Sequence, residues 1–318
     1  MRPRPTTRRL TLLPLLAAAG ALTLASCTNA AETGGGGDGG GDGTDSPVAE
    51  ETAEAVPSFD ASSVTTVDEI AAMLPADFDG TLTQGVNLAY APAEFRDENQ
   101  DPVGYDVDLA RALANVLGAE LEVSHAEFAS IIPGIGTQYD MGLSSFSVTP
   151  ERLEQVNMIT YLEAGSTFSV QAGNPQDLDP ENLCGATMGV QTGTIQDEQS
   201  AEMAAQCEAD GEEPLEVLRY NSQADVTTNL VGGKIDVMYA DSPVGQYAAL
   251  QTDGQVEQLG EVTDAAPQGI VVAKDDAELT AALQAAMQHL MDEGTWAEIL
   301  DAWGITGALS TAELNPAL

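Results

Sequence analysis

Apolar residues along the chain recur with two periods, and the alternation between them sets the first expectations. Between Gly104 and Gly118, Leu109, Leu113, Val116 and Leu117 stand at i, i+4, i+7 and i+8, an amphipathic helix with glycine as its stop. Val67 to Leu74 predicts a short helix ended by Pro75, and Ser222 to Leu230 another ended by Gly232 and Gly233. Two more helices close the chain, one with Leu279, Leu283, Ala286 and Leu290, the next with Trp296, Ile299, Leu300 and Trp303. Short apolar runs mark strands at Leu82 to Asn87, Ile235 to Ala240 and Gly269 to Ala273. Leu121 to Ile135 is a strand–helix unit, Met141 to Ser147 a strand and turn, and Ala89 to Val103 a polar, Pro-containing loop. Strands alternating with helices predict α/β architecture with largely parallel sheets.

The pattern fails at the N-terminus. Met1 to Arg9 is cationic and Leu10 to Leu24 is an apolar run too short to span a bilayer comfortably, which together describe an export signal. Leu24-Ala25-Ser26-Cys27 looks like a bacterial lipobox, in which Cys27 is diacylated (palmitate-type chains) and becomes the mature N-terminus. The alternative is an ordinary signal peptide that happens to contain a cysteine. Gly34 to Gly43 reads GGGGDGGGDG, and acidic, Ser- and Ala-rich sequence continues to about Ala55. Such composition cannot bury a core, so residues 27–64 are expected to form a flexible tether with a reach on the order of 40 Å. No later run is long and apolar enough for a membrane span.

Charge narrows the function. The 318 residues carry 51 Asp plus Glu against 10 Lys plus Arg, and four of those ten cations lie within the first nine positions. A chain this acidic repels phosphate backbones, which argues against nucleic-acid partners. If Cys27 is lipidated, Cys184 and Cys207 remain as a pair, and an exported protein favours their disulfide. Two free thiols are the competing reading, and a metal site is weaker because neither CxxC nor a nearby histidine accompanies them. His125 and His289 are the only histidines, and both read as structural or surface residues. No dinucleotide, phosphate-loop, nucleophile-elbow or zinc-protease motif is present, so neither a cofactor nor a metal is expected.

One segment concentrates candidate chemistry. In Ser144-Ser145-Phe146-Ser147-Val148-Thr149-Pro150-Glu151-Arg152, one of only six cations beyond the signal follows a cluster of hydroxyls. Arg152 is suited to bidentate recognition of a carboxylate. On composition alone, a surface ion pair with one of the many acids is an equal reading.

DMGLSSFSVTPER (Asp140 to Arg152) and GYDVDLARALA (Gly104 to Ala114) resemble the amino-acid-binding proteins of ABC importers, solute-binding protein family 3. The resemblance continues through Gly189 to Thr194, Lys234 to Asp241, Gly269 to Lys274 and Asp292 to Trp296, covering about residues 65–305. It implies a type II periplasmic-binding-protein fold of two α/β lobes, each a mostly parallel sheet with flanking helices. Lobe 1 would be 65–163 plus 267–318 and lobe 2 164–266, with hinge crossovers near Gly165 and Pro267. Arg152, Ser147 and Thr194 would take a ligand α-carboxylate. Asp241 and Ser145 would take the α-ammonium, Tyr90 and Phe128 would sandwich the side chain, and Asn87 would face its far end. Buried opposite charges held apart, each hydrogen-bonded, are what a zwitterion requires.

Four departures shape the pocket that the resemblance implies. Asn87 stands where receptors for basic amino acids often have an acid, Ala93 replaces an aromatic and Ile195 a small hydroxyl residue; the Pro133–Asp140 loop is one residue shorter. These favour a polar or neutral amino acid. The implied protein is a monomeric extracytoplasmic lipoprotein, held at the outer face of the membrane by its lipid, delivering its ligand to permease subunits without chemistry of its own. An enzyme on the same fold, of the cyclohexadienyl-dehydratase type, is the alternative.

Overall fold

The computed structural model describes residues 56–317. The export signal (1–26), Cys27 and the Gly/Asp-rich run lie outside them. Residues 56–64, expected to belong to the tether, pack on the core instead. Val56, Phe59 and Val64 pack on the core, Phe59 N donates to Asp108 Oδ2 (3.0 Å), and Asn115 Nδ2 donates to Ala61 O (2.8 Å). These residues carry the apolar side chains that the preceding Gly/Asp run lacks.

The elements run α1 (Asp68–Ala71), β1 (Thr81–Val86), β2 (Ala89–Tyr90), β3 (Glu94–Arg96), β4 (Pro102–Val103), α2 (Tyr105–Leu117), β5 (Glu120–His125), α3 (Phe128–Gly134), β6 (Met141–Gly142) and α4 (Pro150–Gln155). Then come β7 (Val156–Gln171), β8 (Thr187–Gln191), α5 (Ile195–Asp210), β9 (Glu216–Tyr220), α6 (Gln223–Val231) and β10 (Val237–Asp241). The chain finishes with α7 (Ser242–Gln251), β11 (Val256–Ala273), α8 (Ala277–Asp292) and α9 (Thr295–Trp303). Helix α2 stops where glycine permits it, at Gly118 in the left-handed region (φ 67°). The expected loop from Ala89 to Val103 instead forms a small three-stranded antiparallel sheet, β2-β3-β4. Strands of two or three residues leave too short an alternation to be read from sequence.

Eight strands form one sheet in the order β5-β1-β6-β11-β7-β10-β8-β9. Strand β1 is parallel to β5 and β6, and β8 is parallel to β9 and β10. The two long strands at the centre, β7 and β11, run antiparallel to each other and to their outer neighbours. They carry the chain from the first half of the sheet into the second and back. Their pairing slips between Leu259 and Thr263, between Thr263 and Ala266, and between Gln268 and Gly269. These irregularities flank the two expected crossovers, where Ala266 faces Ala164 and Pro267 faces Glu163.

The main core gathers α2, α8 and α9 over the sheet, with Trp296, Leu109 and Leu113 fully buried. Asp108, itself 1% exposed, accepts from Trp303 Nε1 (2.9 Å) and pairs with Arg111 (2.9 Å), tying α9 to α2. A second cluster packs α5 against β8 and β10. At its edge Cys184 and Cys207 form a disulfide with Cα atoms 5.6 Å apart. No helix among the described residues is long and apolar enough to cross a membrane.

Candidate functional site

A small cavity lies between the two halves of the sheet. From the first half come Tyr90 and Phe128, with Ser144, Ser145, Ser147 and Arg152. From the second come Thr194, Ile195, Gln196 and Asp241.

The turn after β6 and the start of α4 present the cation. Thr149 caps α4, its Oγ1 accepting from Arg152 N (3.2 Å), and Pro150 occupies the first helical position. Arg152 therefore lies in the first turn of the helix and directs its side chain inward, where it is only 8% exposed. Its guanidinium donates to two backbone carbonyls, Ser147 O (2.8 Å) and Gly193 O (3.1 Å), and lies 5.6 Å from the centres of both the Phe128 and Phe146 rings. The only ion pairs among the described residues are Arg111–Asp108 and Arg219–Asp197. Arg152 is thus a buried cation without a carboxylate partner, and the surface ion pair drawn from composition does not form. Burial lowers its pKa, while the charges of Glu198 and Asp241 oppose the shift.

The anion comes from the end of β10. Asp241 is the residue before α7 and makes no side-chain cap bond to that helix, which leaves its carboxylate facing the cavity. Oδ1 accepts from Gln196 Nε2 (2.8 Å) and Oδ2 from Gln268 Nε2 (2.9 Å). Burial raises its pKa, and hydrogen bonds from Tyr90 and Gln196, with the charge of Arg152, pull it back.

Thr194 caps α5, accepting from Asp197 N (3.2 Å) and donating from Oγ1 to Gln191 O (2.8 Å). The N-terminus of this 16-residue helix, with Ile195 and Gln196 in its first turn, reaches the cavity wall. Backbone N–H groups and the helix dipole at such an end favour a carboxylate.

Seven of the eight residues expected to hold a ligand line this one cavity: Arg152, Ser147, Thr194, Asp241, Ser145, Tyr90 and Phe128. Asn87 is the exception. It is 1% exposed, donates from Nδ2 to Ala126 O (2.9 Å) and accepts from Gln191 Nε2 (3.1 Å), bridging the two halves instead of lining the space. Among the described residues three further side-chain hydrogen bonds cross between the halves: Arg152 to Gly193, Gln268 to Asp241, and Asp241 N to Tyr90 OH at 3.4 Å. Sequence reasoning placed Ser144 in the candidate segment without giving it a ligand role, and overlooked Gln196 and Gln268. Gln196 adjoins the Thr194 motif, so adjacency offered a signal; Gln268, 27 residues from the Asp241 it supports, gave none. His125 is structural, its Nδ1 accepting from Leu88 N (3.1 Å). No group of three or more potential metal ligands occurs among the described residues.

A buried cation and a buried anion on opposite walls of one small cavity are chemically suited to a small zwitterion. Comparison with known proteins agrees. The profile of the bacterial extracellular solute-binding proteins, family 3, matches residues 82–306. The chain is 38% identical over 255 residues to the arginine-binding protein ArgT of Corynebacterium glutamicum, covering 78% of this chain and 83% of that one. An ancestral arginine-binding protein bound to arginine superposes with a TM-score of 0.66 at 29% identity, covering 70% of this chain and 98% of that one. An ancestral amino acid-binding protein, a precursor of cyclohexadienyl dehydratase, gives 0.64 at 28% identity, covering 74% and 98%. The chain belongs to the bacterial extracellular solute-binding proteins of family 3.

Proposed function

We propose that this protein binds an L-α-amino acid between two lobes, residues 65–163 plus 267–318 and residues 164–266, and delivers it to an ABC-importer permease. The α-carboxylate is taken by Arg152 with Ser147, Thr194 and the N-terminus of α5, and the α-ammonium by Asp241 with Ser145. Tyr90 and Phe128 flank the side chain. The observation that carries this reading is Arg152, a buried guanidinium whose only protein acceptors are neutral carbonyls. A bound carboxylate would supply the counter-charge, and charge-assisted bonds of this kind are about twice as strong as neutral ones.

Arginine is the leading ligand. The 38% identical Corynebacterium protein is named for arginine. The absence of an acid at Asn87 keeps glutamine as the second candidate. A thermal-shift screen of the twenty amino acids, followed by calorimetry, tests the reading. Arginine at one hundred times its Kd should stabilise the fold by about 2.7 kcal/mol. No shift with any amino acid would contradict it.

Anchoring belongs to the same proposal: Cys27 carries the lipid, and the acidic run beyond it is the tether. Cys27→Ala should move the protein from membrane to soluble fractions with ligand affinity unchanged, whereas equal membrane retention would oppose the anchor. The enzyme alternative has one point in its favour, the likeness to a dehydratase precursor. Assay with prephenate and arogenate should show no turnover.

A further inference from the structure

Beneath the serine turn of the cavity lies a cluster that neither the ligand contacts nor the core explains. Glu94, on β3, and Asp106, in the first turn of α2, are both 0% exposed, and no cation is hydrogen-bonded to either. Ser144 Oγ donates to Glu94 Oε1 (2.7 Å). Asp106 Oδ2 accepts from Ser145 N (2.8 Å) and from Tyr161 OH (2.9 Å), with Ser145 Oγ more distant at 3.4 Å. Each carboxyl thus has one oxygen held by donors from the turn. The remaining oxygens, Glu94 Oε2 and Asp106 Oδ1, have no hydrogen-bond partner among the described residues, and the two residues are neighbours: Asp106 N donates to Ala93 O (2.9 Å), and the donors on their other oxygens come from adjacent serines. A proton held between two neighbouring buried carboxyls would satisfy both unpartnered oxygens at once.

The turn they hold is unusual. Ser145 has φ 54°, a left-handed conformation that side-chain-bearing residues rarely adopt, and it lines the cavity next to Ser144. We propose that Glu94 and Asp106, sharing one proton, are positioning residues that fix the Ser144–Ser145 turn in the geometry that receives the ligand's ammonium group. This rests on the amino-acid reading above.

The electrostatic surroundings agree. Burial, and after it the charge of Asp106, push Glu94 well above the usual carboxylate range. Burial pushes Asp106 up to about 7, against the donors Ser145 and Tyr161 and the Glu94 carboxyl. The titratable groups facing the pair are Tyr105 from α2, Tyr161 from β7 and, through its charge, Asp241 from the end of β10; all are neutral or acidic at pH 7. With no cation to replace it, loss of the shared proton sets two carboxylates against each other directly under the turn.

The test combines L-arginine calorimetry from pH 6 to 8.5 with infrared detection of a protonated carboxyl in the ligand-free protein. Wild type should show the carboxyl band at pH 6.5, and its affinity should fall at least threefold as the band disappears at higher pH. Glu94→Gln places a permanent neutral donor against Asp106. It should lack the band, flatten the pH dependence, and recover most of the affinity that Glu94→Ala loses. Asp106→Ala should weaken arginine at least tenfold with its circular dichroism spectrum intact. The ligand's own titration is common to all variants and cancels in the comparison. A merely structural pair would shift melting temperatures and leave the pH profile of Glu94→Gln parallel to wild type. That result, or an Asp106→Ala variant binding within threefold of wild type, overturns the positioning role. Absence of the band at pH 6.5 overturns the shared proton. If wild type binds no amino acid, the functional reading and the positioning role fall together, whatever the infrared result.

Discussion

Arg152 illustrates how far single residues could be read. Its sequence neighbours showed a cluster of hydroxyls (Ser144, Ser145, Ser147), and the structure gathers these around one cavity, with Thr149 capping the helix and Pro150 opening it. What the sequence could not supply was the negative result that matters most, the lack of any carboxylate on the guanidinium. With 51 acids in the chain, that depends on which of them the fold brings near. Asn87 shows the opposite failure: its alignment with a ligand-facing position was legible, but its use as a bridge to Gln191 depends on a partner 104 residues away. The cap itself is testable. Thr149→Ala removes the acceptor for Arg152 N and should cost about 1 kcal/mol of stability. Because Arg152 is aimed from that first turn, arginine affinity should fall several-fold, as read by chemical denaturation and calorimetry on the same sample. Unchanged affinity would mean that the backbone carbonyls alone fix the guanidinium.

At the scale of elements, long amphipathic helices and buried strands were the legible part. Helix α2 begins and ends at the glycines that its pattern named. Gly104 at its start has φ 129°, and a Cβ there would run into Ala93 O, so only glycine lets β3 approach the helix closely enough to place Glu94 beside Asp106. The long central strands were not recognised as such. Strand β11 was read only at its apolar C-terminal end, because Glu257 to Ala266 is largely exposed and its alternation carries no signal. Strand β7 is buried on both faces for much of its length, with Thr160, Ser166, Thr167 and Ser169 among the buried residues, so it carries no clean alternation. Helix α5 is stapled near its C-terminal end, with Cys207 buried and bonded to Cys184 ahead of β8. Closing a loop of 23 residues is worth about 3 kcal/mol in the chain-entropy account. Cys184→Ser/Cys207→Ser should lose that stability in denaturant titration. Its arginine affinity should stay within about twofold, since neither cysteine lines the cavity.

Across the whole molecule, acidity is the dominant property. A formal charge of −41 on 318 residues opposes compaction, so added salt should raise the melting temperature until screening is complete. The buried acids Glu94, Asp106 and Asp241 act in the same sense as the surface. Their folded-state pKa values lie above the ordinary carboxylate values, with Asp106 at about 7. The folded state therefore holds protons more tightly than the unfolded chain does. The corresponding stability is fully present below about pH 4 and is lost as pH rises through about 7. Ligand-free protein should accordingly melt at lower temperature at pH 8 than at pH 5.5, by an amount on the order of a few kcal/mol in stability. Glu94→Gln should reduce this slope. A melting temperature that rises over that interval would contradict the assignment.

The claim on which the account depends is that Arg152 and Asp241 are two ends of one zwitterion site. Both are buried and neither shares a salt bridge with another described residue, so truncating either leaves a ligand charge unpaired. Such losses cost about 2–5 kcal/mol, or roughly 30- to several-thousand-fold in affinity. Calorimetric titration of Arg152→Ala and Asp241→Ala with L-arginine, alongside wild type, reads this directly. The account predicts micromolar or tighter binding by wild type and a loss of at least thirtyfold in each variant, with both still folded by circular dichroism. Two folded variants that bind within threefold of wild type would contradict it.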